Sequence, residues 1–274
     1  MNIRKDTTNP VTSVRAKKAL GQHFLTDLGI ASRIADTVDA CPSLPILEVG
    51  PGMGVLTQYL LRKERQLKVV EIDRESVPYL HAHFPELGDH VIEADFLKMN
   101  LRDVFGNQPF VLTGNYPYNI SSQIFFKMLE HTELIPCCTG MIQREVADRL
   151  AAKPCSKAYG VLTVFVQLWY DVEELFLVPP SVFNPPPKVT SAVVRLTRNG
   201  RTELGCDERL LRRLVKTVFT MRRKMIRNGL KQLLGRNHPL LNDARFDRRP
   251  EQLSVDEFIE LARELGPHML PSNG

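Results

Sequence analysis

The sequence predicts an α/β protein: a doubly wound, mainly parallel sheet followed by a small, all-helical C-terminal domain. Three observations predict it. Strand and helix patterns alternate from Pro45 to about Gln143, as a wound parallel sheet requires. Residues suited to chemistry recur at the carboxyl ends of those strands, where such sheets bind ligands. Beyond the polar, glycine-containing stretch Thr197-Arg198-Asn199-Gly200-Arg201 the pattern turns helical, which sets a boundary near residue 200. The expected domains are therefore 1–200 and 201–274.

The first strand, Ile46-Leu47-Glu48-Val49, is a short apolar run between a proline and a glycine cluster, and a helix over 55–62 follows it. The second strand covers 67–72, and its helix runs from Arg74 to about Phe84. Strands at 91–94, 110–114 and 140–143 come next, with a helix over 120–130 before the last. Residues 160–169 fit helix or strand equally, because a short apolar run does not decide between them. The runs 175–178 and 189–196 flank the proline-rich turn 179–187 and predict a final hairpin that extends the sheet. After the boundary an amphipathic helix starts at Asp207 and carries Leu210, Leu211, Leu214 and Val218. A second helix covers about 226–234. A third starts at Ser254, where Ser254 and Glu257 have capping-box spacing ahead of Phe258, Ile259 and Leu261.

A chain of 274 residues suits one large domain plus a small one. Its 43% apolar and 24% charged content is that of an ordinary globular protein, and its net charge of +5 fits a polyanionic partner. The cysteines Cys41, Cys137, Cys138, Cys155 and Cys206 form no C-x-x-C pair and have no histidine at metal-ligand spacing. Free thiols in a reducing cytoplasm, with no metal site and no disulfide framework, are expected. Residues 1–18 carry Arg4, Lys5, Arg15, Lys17 and Lys18 but lack the apolar core of a secretory signal, so a flexible basic arm is expected. The longest apolar run, residues 161–170, is far short of the roughly 20 residues a membrane span requires.

The first strand ends in Glu48-Val49-Gly50-Pro51-Gly52-Met53-Gly54. Alternate glycines let the backbone turn sharply and approach a ligand closely. The spacing is G-x-G-x-G rather than the G-x-G-x-x-G of dinucleotide sites, and Pro51 removes an N–H that a phosphate would use. A ligand without phosphates, S-adenosylmethionine, fits better, whereas a plain tight turn would need no ligand. Glu71 ends the second strand, where a carboxylate can accept both hydroxyls of a ribose. Asp73 competes for that role but suits the N-cap of the helix starting at Arg74. Asp95 follows the third strand, placed either to accept an adenine amine or to cap residues 96–99.

Asn115-Tyr116-Pro117-Tyr118 follows the fourth strand. An Asn carboxamide can accept one N–H of an exocyclic amine, a carbonyl in a proline-stiffened turn the other, and a Tyr ring can stack on the base. Such a pocket requires a base taken out of its helix. Each motif alone has a bland reading as turn, cap or packing residue; together, in this order, they are specific.

These residues resemble the ribosomal RNA adenine N6-dimethyltransferases, class I S-adenosylmethionine-dependent enzymes, and most of all the branch acting on small-subunit (16S) rRNA. The resemblance covers nearly the whole chain: Lys18-Ala19-Leu20-Gly21-Gln22-His23-Phe24-Leu25, Glu48 to Gly54, Val70-Glu71-Ile72-Asp73, Glu93-Ala94-Asp95-Phe96, Asn115 to Ile120, Phe183 to Ser191, and Phe219 to Leu230. It implies a class I methyltransferase sheet with a helical RNA- and ribosome-binding domain. The implied activity is methylation of N6 on two adjacent adenines in the 3′-terminal hairpin loop of 16S rRNA, by a cytoplasmic monomer working on the assembling small subunit.

Residue by residue, the resemblance implies that His23 and Leu25 border the methionine end of the cofactor, that Gly50 lies against the same end, and that Gly52 also belongs to the cofactor site. Glu71 would take the ribose, Asp95 the adenine amine, and Asn115 both cofactor and target base. Tyr116 would offer its carbonyl, Pro117 would stiffen the turn, and Tyr118 and Phe183 would be the two walls of a stack. Phe183 also has a bland reading, as a core anchor under the proline-rich loop. His23 stands where the family usually has Asn, and Tyr116 where it usually has Leu or Ile.

Lys216, Arg223, Arg227 and Lys231 are spaced 7, 4 and 4, so they share one face if their helix is continuous, with Arg222 and Lys224 flanking. Such a stripe suits RNA phosphates, although a charge run also serves as a solvated face. Three other readings share the motifs. A DNA adenine methyltransferase would need a larger sequence-reading module. A large-subunit rRNA dimethylase conferring macrolide resistance fits residues 219–228 less well. A catalytically silent RNA-binding assembly or transcription factor would not need Glu71, Asp95 and Asn115 intact.

Overall fold

The computed structural model describes Val14 and residues 17–271. Most of the expected basic arm, 1–18, lies outside the described residues. In chain order the elements are β1 (Phe24–Leu25), α1 (Leu28–Asp36), β2 (Ile46–Val49), α2 (Thr57–Leu60), β3 (Leu67–Glu71), α3 (Ser76–His83), β4 (Val91–Glu93), β5 (Val111–Thr113), α4 (Ser121–Leu129), β6 (Cys137–Gln143), α5 (Arg144–Leu150) and α6 (Val161–Gln167). They continue with β7 (Tyr170–Val178), β8 (Phe183–Asn184), β9 (Ser191–Arg198), α7 (Glu208–Thr220), α8 (Ile226–Leu234) and α9 (Val255–Leu265).

Seven strands form one sheet in the order β4-β3-β2-β5-β6-β9-β7. The pairings from β4 through β6 are parallel, and β9 returns antiparallel beside β6. The chain first winds outward from β2 to β4, then crosses back to place β5 on the other side of β2. The order reverses between β2 and β5, so the loops after these strands diverge and leave a crevice. All four residues of β2 and all three of β5 are buried, as central parallel strands covered on both faces must be.

The chain forms two compact units: residues 1–144 with 174–197, and residues 145–173 with 198–274. One break falls inside the polar stretch 197–201. The other groups α5 and α6 with the C-terminal helices. Residues 160–169 settle as helix α6, with the Gly160 N–H donating to Thr163 Oγ1 at 3.0 Å. In the second unit Asp207 caps α7 by accepting from the Arg209 N–H, and Ser254 and Glu257 form the expected capping box on α9.

Two expectations are corrected. Cys41 and Cys137 are disulfide-bonded, with Cα atoms 5.8 Å apart; Cys138, Cys155 and Cys206 are free. The pair is 96 residues apart in sequence and meets because Cys41 ends the turn after α1 while Cys137 opens β6. The basic stripe is also broken, since α7 stops at Thr220 and α8 starts at Ile226. Arg222, Arg223 and Lys224 therefore sit in the turn between two helices rather than on one continuous face.

Candidate active site

The backbone turns out of β2 through three left-handed glycines, Gly50, Gly52 and Gly54, with φ of 68°, 55° and 73°. A side chain at any of them would be strained. This winding also delays the following helix, so α2 starts at Thr57, later than the sequence pattern suggests. Glu71 ends β3 and is 4% exposed. Its Oε2 accepts from the Gly52 N–H at 3.0 Å, and its Oε1 from the Ile72 and Asp73 N–H groups at 2.9 and 2.8 Å. Burial raises the carboxyl above its usual range, and these three hydrogen bonds oppose the rise. The carboxylate is thus locked to the glycine loop before any ligand arrives.

Asp73 caps the turn into α3, accepting from the Glu75 N–H at 3.0 Å. It also accepts from Lys17 Nζ at 2.5 Å and Gln22 Nε2 at 3.0 Å. Sequence reasoning missed this second job, which ties residues 17–22 down beside the cleft. Asp95 accepts from the Leu97 N–H at 3.0 Å, so it caps its turn, and its other oxygen lies 3.3 Å from Lys98 Nζ. It also lines the cavity, so its two expected roles do not exclude each other.

After β5, Tyr116 sends its ring into the core, 1% exposed. Its hydroxyl donates to the Thr139 carbonyl at 3.0 Å, and its backbone N–H to the Met141 carbonyl at 3.0 Å. Two glycines make room for it. A Cβ on Gly140 would stand 2.4 Å from the Gly114 carbonyl oxygen and 2.7 Å from Tyr116 Cε2, and a Cβ on Gly114 2.6 Å from the Val49 oxygen. Asn115 Nδ2 donates to the His23 carbonyl at 3.3 Å. Pro117 lies over Gly50, and the Tyr118 hydroxyl is hydrogen-bonded to Ser191 Oγ.

β1 roofs the crevice and is held by antiparallel pairing with β8 in the proline-rich loop. The Thr26 N–H donates to the Val182 carbonyl at 2.8 Å, and His23 Nδ1 is 2.8 Å from the Pro185 carbonyl oxygen. One cavity gathers His23, Leu25, Gly50, Gly52, Glu71, Asp95, Asn115, Tyr116, Pro117 and Tyr118. Phe183 is not among its lining residues. It is 4% exposed, opposite Leu25 in the β1–β8 pair and inside the hydrophobic core. The expected second stacking wall is thus a core anchor in this structure, because the β1–β8 pairing turns its ring inward.

A match to the ribosomal RNA adenine dimethylase family spans residues 13–265. The chain belongs to that family. The ribosomal RNA small subunit methyltransferase A of Bacteroides thetaiotaomicron is 64% identical over 92% of this chain and 94% of its own. The protein of the same description from Porphyromonas gingivalis is 59% identical over 90% and 96%. Among solved structures, a dimethyladenosine transferase from Plasmodium falciparum superposes with a TM-score of 0.76 at 26% identity, covering 90% of this chain and 98% of its own. The 23S rRNA methyltransferase ErmE gives 0.63 at 29%, covering 87% and 99%.

Glu48 also lines the cavity, a residue to which sequence reasoning gave no role. It lies on β2, 1% exposed, and its Oε2 accepts from Thr57 Oγ1 at 2.7 Å. Burial pushes its carboxyl up to about 8, with repulsion from Glu71 adding to the rise and the Thr57 bond opposing it. A folded pKa above the unfolded value means that the folded protein holds the proton more tightly. Ionisation therefore costs stability, increasingly as pH climbs from the unfolded pKa of about 4.3 to the folded value of about 8. Thermal melts should show the wild type losing stability across that window and Glu48→Gln losing less. An unchanged pH slope in the variant would clear Glu48 of this effect.

In the second unit, the cations expected to meet RNA divide into two groups. Arg222 is tied internally, to Glu251 at 3.2 Å and to the Ser156 and Lys157 carbonyls at 3.2 and 2.7 Å. Arg227 pairs with Asp247 at 2.8 Å and donates to the Asp243 carbonyl at 3.0 Å. Lys216, Arg223, Lys224 and Lys231 are exposed. No described group of three His, Cys, Asp or Glu could hold a metal ion, and no described helix is long and apolar enough to cross a membrane.

Proposed function

We propose that this chain transfers methyl groups from S-adenosylmethionine to N6 of two adjacent adenines in the 3′-terminal hairpin loop of 16S rRNA. One observation carries the reading. The glycine loop with its locked Glu71 and the Asn115-Tyr116-Pro117-Tyr118 turn open into the same cavity at the sheet's switch point. A site holding only a cofactor would not need the second motif, and a plain nucleotide site would not need Pro51. The 64% identity to a small-subunit methyltransferase favours this branch over a large-subunit dimethylase, and the intact carboxylates favour an enzyme over a silent assembly factor.

The residues present fit the cofactor. Gly50 and Gly52 leave an open cradle under Phe24 and Pro117, where a Cβ on Gly52 would come within 3.1 Å of Phe24 Cε1. In this reading His23 and Leu25 border the methionine end, Glu71 holds the ribose hydroxyls and Asp95 the adenine amine. Bound there, S-adenosylmethionine supplies an electrophilic methyl group.

The protein's own part is to make a poor nucleophile attack in line. The N6 lone pair is delocalised into the purine ring. Acceptors at Asn115 Oδ1 and the Tyr116 carbonyl hold both amine protons in the first transfer, and the one remaining proton needs only one of them in the second; they favour the pyramidal nitrogen, an interaction stronger in the transition state than before it. Tyr118 stacks on the base and fixes its approach, and positioning provides much of the acceleration. No general base is required, because the proton leaves after nitrogen becomes cationic. Mass spectrometry of 16S rRNA from a strain lacking this gene, with and without complementation, tests the reading. Dimethyladenine at both positions without the gene would overturn it.

A cytoplasmic monomer acting on the assembling small subunit follows from the same reading, with the helical unit supplying RNA affinity. A loop base is already partly unstacked, so extruding it costs little, and adenines are abundant, so selectivity must come from that unit. Reversing Arg223, Lys224 and Lys231 together should leave cofactor binding intact and abolish subunit methylation. Wild-type affinity should fall with salt at a slope of about −0.7 to −0.9 per phosphate contacted. Wild-type methylation by the triple variant would make this surface merely solvated.

A further inference from the structure

The Tyr118 side chain is held at both ends. Its backbone carbonyl accepts from Ser121 Oγ at 3.3 Å, at the start of α4. Its phenol, at the far end of the ring, is hydrogen-bonded to Ser191 Oγ on the first residue of β9. The ring between these two points is half-buried and lines the cavity. One bond therefore ties the cavity wall to the sheet.

Ser191 reaches this place because of how the sheet is completed. β9 returns antiparallel beside β6, so its first residue stands opposite Gln143, the last residue of β6. That end of β6 is its carboxyl end, beside the turn after β5, where Asn115 bridges to Met141. The antiparallel return thus delivers a strand residue to the rim at which such sheets bind ligands. Ser191 is 0% exposed, and a hydroxyl so deeply buried needs a hydrogen-bond partner. The partner it meets is the ring expected to carry the target base.

A tyrosine ring turns broadly about its last torsion when nothing holds it. The hydrogen and the lone pair that a phenol uses in such a bond lie near the plane of its ring. A partner fixed in the sheet therefore restrains the direction of the ring and its rotation, whichever oxygen is the donor.

We infer that Ser191 is a positioning residue for methyl transfer: by holding the Tyr118 phenol it fixes the plane on which the target adenine stacks, and so the angle at which N6 meets the methyl group. This rests on the proposed function. Removing the bond leaves the stacking surface in place, so the base still binds. What is lost is alignment, which counts in the transition state and little before it.

The bond is tested from both ends, with single-turnover methylation of small subunits by Ser191→Ala, Tyr118→Phe and the double variant. Each single variant should slow transfer at saturating enzyme about three- to tenfold, the range of one neutral hydrogen bond. The enzyme concentration giving half the maximal rate should stay within about twofold, since the stack persists. The double variant should be no slower than the slower single one, because both remove the same bond. Melting curves accompany each variant. A wild-type rate in Ser191→Ala, or a loss confined to its melting temperature or to its affinity, overturns the positioning role. So do losses that multiply in the double variant, since Ser191 would then act on something other than Tyr118. Those results leave the proposed function standing. That function fails, and the positioning role with it, if the wild type transfers no methyl groups to 16S adenines.

Discussion

Asn115→Ala is expected to abolish methyl transfer while leaving a folded protein. The carboxamide oxygen is one of two acceptors for the reacting amine, and removing a positioned hydrogen-bonding group of this kind from a transition state costs about 100-fold or more. The fold should survive, because Asn115 is only half-buried and its side chain has one modest bond, from Nδ2 to the His23 carbonyl. Losing that bond costs about 0.5–1.5 kcal/mol. Incorporation of labelled methyl groups, read beside a melting curve, checks both halves. Wild-type turnover would sink the pocket assignment.

The second large effect is on the cofactor. Glu71→Ala should weaken S-adenosylmethionine binding by at least about two orders of magnitude, since two charge-assisted bonds to the ribose are worth roughly 1.5–3 kcal/mol each. The geometry adds to this loss. The same carboxylate holds the Gly52, Ile72 and Asp73 N–H groups, so its removal also frees the loop that must lie against the ligand. Asp73→Ala should behave differently. It forfeits a cap worth about 1 kcal/mol and the bonds to Lys17 and Gln22, and so loosens the segment beside the cleft without removing a ligand contact. Calorimetric titration of the two variants separates them. A greater loss of affinity in Asp73→Ala would reverse the assignment of the two acids.

The parts legible in the sequence were those dictated locally. The strands of the parallel sheet announce themselves as apolar runs, and the carboxyl-end rule then gathers Gly50, Glu71, Asp95 and Asn115 into one crevice. Ser254 and Glu257 fix the start of α9 by spacing alone. Phe183 was harder, because the residue opening a proline-rich loop can face either way until its partner strand is known, and that partner, Leu25, lies at the other end of the unit's sequence. Cys41 and Cys137 pose the same difficulty across 96 residues. The basic stripe misled for a geometric reason. A spacing of 7, 4 and 4 places charges on one face only along an unbroken helix, and residues 221–225 break it. Arg222 and Arg227 then find carbonyl and carboxylate partners within their own unit.

The setting of Tyr116 has a consequence for how this enzyme can fail. The group it is expected to offer to substrate is a backbone carbonyl, which no side-chain substitution at that position deletes, so its aim depends on what lies behind it. The ring seated against Gly140, the hydroxyl on Thr139 and the close approach of Gly114 to Val49 set that aim. Damage at Gly140, out of reach of any ligand, would tilt the carbonyl as surely as a change in the crevice itself. The positions least tolerant of variation would then form a hidden layer behind the visible one, and a survey of surface-accessible catalytic groups would overlook them.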